Sequence, residues 1–234
     1  MLPSAPDLVL LPGLDGTGRL FEPFLAALPS DFRARVIAYP ANDPRDLPAL
    51  AALVLRELPQ GKPLLLAESF SGLVALELLK NAPGRIGGAI FVGAFAEPPR
   101  PFLLRLAPVA ARSAALIRST PAFLIRRYCL GPDASAAQLN QLREALACVS
   151  PAVLAQRLAI VAMRHSFGKA PMDVPSCYIR ASQDRLVPAS CATWFQERFR
   201  DCELAEIDGP HFLLQARPGD VAQAVTRWIR GNKG

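Results

Sequence analysis

Short apolar runs alternate with stretches of helical spacing along most of the chain. Asp7 to Pro12 (DLVLLP) predicts a strand that ends in a glycine-rich turn, Gly13-Leu14-Asp15-Gly16-Thr17-Gly18. Arg35 to Tyr39 predicts a second strand, stopped by Pro40. Leu47 to Leu58 has the spacing of a helix and closes at Pro59. Pro63 to Ala67 predicts a third strand running straight into a helix over Gly72 to Asn81, and Ile86 to Ala94 predicts a fourth. From Glu97 to Met172 only helical periodicity is visible, interrupted at Pro108, Pro121, Pro132 and Pro151. The strand–helix rhythm then returns with Ser176 to Ala181, a helix around Ser190 to Phe199, Glu203 to Ile207, and a last helix from Asp220 to Arg230. This order predicts one α/β unit, a mostly parallel central sheet with helices on both faces. Its core is expected over residues 1–96 and 173–234, with a helical insertion over 97–172.

Composition narrows the class. Of 234 residues 51% are hydrophobic and 20% charged, and the mean hydropathy is +0.23. A chain of this kind buries a large core and is not disordered. No stretch approaches the roughly eighteen apolar residues of a membrane span. The first residues lack a basic segment and a long apolar run, so no signal peptide is expected and the expected location is the cytoplasm. Five scattered cysteines without a Cys-x-x-Cys pair argue against a disulfide or zinc framework. The net charge of +6 has one origin. Ten basic and four acidic residues lie between Glu97 and Pro175, and the rest of the chain is balanced.

The sharpest local signal is Leu64-Leu65-Leu66-Ala67-Glu68-Ser69-Phe70-Ser71-Gly72-Leu73. A buried strand meets a helix with a serine at the junction and small residues around it, as a nucleophile elbow requires. The match is relaxed, with Ala67 and Ser71 at the usual glycine positions. A helix N-cap at Ser69 or Ser71 explains the same residues more plainly. Ser71 is also a second nucleophile candidate, although Leu73 would then fill a position that should be small.

Acyl transfer from a serine also needs a base, an acid that orients it and an oxyanion hole. The chain has two histidines. His211 follows Asp208-Gly209-Pro210 at the end of a strand, where ligands of open α/β sheets bind. His165 lies in the helical insertion and reads as a solvated polar residue on a helix. Asp184 sits in the loop after another strand, as acid or as a simple turn former, and Asp208 competes with it. The backbone N–H groups of Phe70 and of Leu14 are the candidate oxyanion donors. The Gly13–Gly18 turn lacks the Lys-Ser/Thr of a P-loop and the spacing of a dinucleotide fingerprint. Ser69, Asp184 and His211 also occur in the chain order of α/β-hydrolases.

On these motifs, Ala67-Glu68-Ser69-Phe70-Ser71-Gly72, Gln183-Asp184-Arg185-Leu186-Val187-Pro188 and Gly209-Pro210-His211-Phe212, the chain resembles the α/β-hydrolase superfamily over nearly its whole length. Small bacterial carboxylesterases with a lid, including pimeloyl-acyl-carrier-protein methyl esterases, are the general likeness. The turn Leu11–Gly18 is also similar to that of plant phytyl ester synthases. Pro12 stands where most relatives have histidine. The resemblance makes the first strand equivalent to the family's third, so the family's first hairpin is expected to be missing.

The resemblance implies that residues 97–172 form a lid. It also implies cleavage of a carboxylic ester or thioester through an acyl-enzyme on Ser69, with no cofactor and no metal. Acyl transfer to an alcohol by the same route, or ligand binding without catalysis, are the alternatives. The expected partner is a small acyl ester or thioester, with no nucleic acid. The basic insertion, including Arg126 and Arg127 as an exposed pair, makes an acidic acyl carrier protein a further candidate partner.

Overall fold

Strand β1 (Asp7–Leu11) is apolar on both sides, and its side chains divide between two cores. Val9 and Leu11 join one, while Leu8 and Leu10 join the other. The same period-two division runs through β3 (Leu64–Glu68) and β4 (Gly88–Val92). Continuous apolar strands of this kind belong in a sheet covered on both faces.

The computed structural model describes residues 7–99, 120–168 and 170–232. Six strands form one sheet in the order β2-β1-β3-β4-β5-β6, and every pairing is parallel. β2 covers Arg33–Val36, β5 Ser176–Ala181 and β6 Cys202–Ile207. One face carries α2 (Leu47–Glu57), α3 (Ser71–Asn81) and α7 (Ser190–Arg198). The other carries α1 (Glu22–Ala27), α8 (Leu213–Ala216) and α9 (Pro218–Gly231). Between β4 and β5 lie α4 (Ala122–Ile125), a π-helical turn over Arg126–Leu130, α5 (Ala136–Ala147) and α6 (Pro151–Ala162). Among the described residues no single helix is long and apolar enough to cross a membrane.

The second strand departs from its expected span of Arg35 to Tyr39. It starts at Arg33 and ends at Val36, because the chain then peels away and the Tyr39 N–H donates to the Gly16 carbonyl (2.8 Å). α1 and α8 carry no extended periodicity and were not anticipated; each spans fewer than seven residues. The sheet switches direction between β1 and β3, since β2 is added on one side of β1 and β3 on the other. Ligands of open parallel sheets bind outside the strand ends at such a point.

Candidate active site

Ser69 follows β3 with φ +49°, the only positive φ at a non-glycine residue among the described residues. That conformation costs on the order of 1–2 kcal/mol and persists only when neighbours hold it. Here the Ser69 N–H donates to the Val92 carbonyl (2.9 Å), and the Ser69 carbonyl accepts from the Gly72 N–H (2.9 Å) as α3 begins. The hydroxyl lies 3.0 Å from His211 Nε2, and His211 Nδ1 lies 2.6 Å from Asp184 Oδ2. With a carboxylate at Nδ1, the proton of a neutral ring sits there and Nε2 presents its lone pair to Ser69. The second Asp184 oxygen accepts the N–H groups of Leu186 and Val187, both at 2.8 Å. Asp184 is therefore a turn former and a histidine partner at once. Gly93, at φ +54°, leaves space for the ring; a Cβ there would stand 3.3 Å from two imidazole atoms.

The competing residues stand elsewhere. Ser71 is fully buried, and its hydroxyl donates to the Pro12 carbonyl and accepts from Tyr39 Oη (2.5 Å). Burial raises the Tyr39 pKa well above its ordinary value, so this phenol stays a donor. Asp208 is exposed and bonds Ser182 and Gln183 through Oδ1 (2.6 and 2.9 Å); these bonds lower its pKa. It does not reach His211. His165 lies beyond the end of α6 rather than on a helix, with Nε2 2.7 Å from the Ile160 carbonyl. The helix stops at Ala162, and the ring closes over its last turn.

The turn after β1 faces the elbow. Leu14 and Phe70, the two residues whose N–H groups were singled out, line the same cavity as Ser69 and His211. Glu68 is buried just before the serine. Its Oε2 accepts the Gly13 N–H (3.3 Å), and its Oε1 accepts Gln215 Nε2 (3.0 Å). Burial pushes its pKa up to about 7, with the Asp15 carboxylate adding to the effect, while Gln215 and His211 oppose it. On the other side of the turn lies Arg157 of α6, only 2% exposed. Neither residue carries a role that its sequence context predicts. Each is the single charge in a mostly apolar element, LLLAE and PAVLAQRLAIVA, and that is the signal that marks them.

The cavity holds about 360 Å³ and is walled mainly by apolar side chains, among them Phe95, Ile125, Leu142, Leu146, Leu158 and Val161. Cys129 also lines it, but burial pushes its thiol up to about 12, with help from the Asp184 charge. A thiol in that state is a poor nucleophile at neutral pH. Among the described residues no group of three or more His, Cys, Asp or Glu side chains could hold a metal ion.

The basic segment is less of a surface than its sequence suggests. Arg157 is internal. Arg126 is half-buried and donates to the Ala134 carbonyl (3.0 Å), so it does not form an exposed pair with Arg127. Arg100, Arg105, Arg112, Arg118 and Lys169 lie outside the described residues.

Comparison with known proteins agrees with this architecture. Over its full length a methyl ester esterase of pimeloyl-[acyl-carrier protein] from Aromatoleum aromaticum is 28% identical, and the match covers 97% of this chain. Among solved structures, the enol-lactonase of Burkholderia xenovorans LB400 superposes with a TM-score of 0.83 at 19% identity, covering 97% of this chain and 92% of that one. A type II thioesterase from the yersiniabactin biosynthetic pathway gives 0.72 at 20%, covering 99% and 95%. The profile described as the alpha/beta hydrolase family matches residues 8–224. The chain belongs to the alpha/beta hydrolase family.

Proposed function

We propose that the protein is a serine hydrolase that cleaves a carboxylic ester or thioester through an acyl-enzyme on Ser69. The observation that carries this reading is the unbroken line from Asp184 through His211 to Ser69 at the wall of an apolar cavity. In this reading Ser69 attacks the carbonyl carbon while His211 Nε2 takes the hydroxyl proton. Asp184 keeps the proton on Nδ1 and stabilises the imidazolium that forms. The N–H groups of Leu14 and Phe70 receive the oxyanion, and His211 returns the proton to the departing alcohol or thiol. Water, deprotonated by His211, then attacks the acyl-enzyme and regenerates Ser69.

The apolar wall suits an acyl chain. Because α5 and α6 supply much of it, residues 97–172 act as the lid in this reading. Relatives named for a carrier-protein methyl ester and for thioester cleavage support the substrate class. An acyl carrier protein, carrying the acyl chain of an ester or supplying the thiol of a thioester, is the corresponding partner. The test is labelling by a fluorophosphonate and turnover of p-nitrophenyl esters, both lost in S69A. A wild-type protein that neither labels nor hydrolyses any ester or thioester in a chain-length panel overturns the reading. Product analysis with an added alcohol separates hydrolysis from acyl transfer.

A further inference from the structure

The Leu14 N–H can serve an oxyanion only if its peptide plane is fixed before the reaction begins. A peptide unit is rigid, so the Gly13–Leu14 plane, whose carbonyl accepts the Gly16 N–H (3.0 Å), is otherwise set by its two neighbours. On the near side the Pro12–Gly13 plane is held at both ends. Its carbonyl accepts from Ser71, and its N–H donates to Glu68 (3.3 Å). Both holding residues belong to the elbow itself.

On the far side the next two planes are held by one side chain from the insertion. Arg157 Nη1 donates to the Leu14 carbonyl (3.0 Å) and to the Asp15 carbonyl (2.6 Å), and Nη2 donates to the Pro40 carbonyl (3.0 Å). The guanidinium also lies 5.6 Å from the centroid of the Tyr39 ring, whose hydroxyl continues to Ser71. A buried cation without carbonyl partners would be costly, so these contacts are a condition of α6 packing where it does. Gly16 is shaped to the same group: a Cβ there would stand 2.4 Å from Nη1. The helix start is docked nearby, where the Ser150 N–H donates to the Ala41 carbonyl (2.9 Å). The same helix lines the cavity with Leu158 and Val161.

We propose that Arg157 is a positioning residue through which the docked insertion holds the oxyanion turn, so that the site is competent only while α6 packs over the strand ends. The inference rests on the proposed reading of Ser69 and Leu14. It gives the insertion a role in the chemistry beyond covering the substrate. When α6 lifts, the two planes after Leu14 lose their donors and the hole loosens, although Ser69, His211 and Asp184 keep their own contacts.

The test uses R157M, which keeps the stem and removes every donor, and R157K, which keeps one charged donor group. Hydrolysis of p-nitrophenyl butyrate is measured with binding of butylboronic acid, which forms a tetrahedral adduct on the serine, and of butyrate, which does not. Loss of positioning predicts that kcat falls by about 30–100-fold in R157M, as for one lost oxyanion donor or somewhat less. KM should stay within about threefold, and R157K should recover part of the loss. Boronate affinity should fall with kcat while butyrate affinity holds. If R157M does not fold, R157K carries the comparison, with a smaller fall in kcat and the same split between the two ligands. A variant that folds, by near-ultraviolet circular dichroism, and keeps the wild-type ratio of boronate to butyrate affinity overturns the inference. That outcome leaves the serine-hydrolase reading standing. A wild type that fails to label with fluorophosphonate or to hydrolyse any ester overturns both.

Discussion

The elbow and the turn opposite it bring their groups to one cavity by different means. The elbow is held by its own backbone and by the adjacent strand: Ser69 is pinned to Val92, and α3 starts at once behind it. The turn has little to hold itself beyond the Gly16 N–H bond to the Gly13 carbonyl (3.0 Å) and the Asp15 bonds to Thr17. Its remaining contacts come from Glu68, Ser71, the Tyr39 N–H and Arg157, and the last is 142 residues away from Asp15. A strained local turn can therefore be written in a few residues, whereas a relaxed turn that must be rigid borrows its rigidity from the whole fold.

The elbow side should give the largest effects. S69A is expected to lose about 10³-fold or more of ester hydrolysis with its thermal transition unchanged, and H211A to lose fluorophosphonate labelling as well. Hydrolysis that survives S69A and vanishes in S71A would move the nucleophile and erase the contrast between the two regions. D184N should lower kcat by about 10³–10⁴-fold, because the amide favours the wrong imidazole tautomer. D208N should leave kcat within about twofold. A reversed order in that pair would show that the acid comes from the β6 loop.

The turn side should respond more gently. S71A leaves the buried Tyr39 hydroxyl and Pro12 carbonyl short of a partner. A loss of about 1–3 kcal/mol in urea-induced unfolding is expected, with a several-fold fall in kcat at unchanged KM. A purely structural Ser71 would lower stability and leave kcat alone.

Glu68 makes a prediction about pH. Its carboxyl ionises near 7 in the folded protein against an ordinary 4.5, so the folded state binds the proton more tightly. Its contribution is then most favourable below about pH 4.5 and is lost as pH rises through about 7. E68Q, which cannot ionise, should gain stability relative to wild type over that interval and level off above it. The gain is on the order of 3 kcal/mol. Unfolding midpoints of both proteins at pH 5 and pH 8 measure it, and a pH-independent difference would remove Glu68 from the turn's electrostatics. The smallest effect belongs to the insertion's histidine. H165A should keep activity within about twofold, since its ring bonds the Ile160 carbonyl and lies near Phe167.

The order of strands and helices was legible because burial on both faces of a parallel sheet forces continuous apolar strands, and proline and glycine punctuate them. Ser69, Asp184 and His211 were visible for a similar reason: each marks a junction just past a strand, and such junctions leave local traces. The short α1 and α8, and the early end of β2, left no such trace. What holds the turn after β1 was decided by the tertiary structure alone. Gly13 and Glu68 are 55 residues apart, and Pro12 and Ser71 are 59 apart. A side chain that bonds a distant backbone carbonyl imposes no periodicity and needs no special neighbour in the chain. Arg157 was thus counted with the basic residues of an exposed insertion. Only the packing of α6 against the strand ends places that charge inside the protein, where three carbonyls and the Tyr39 ring receive it.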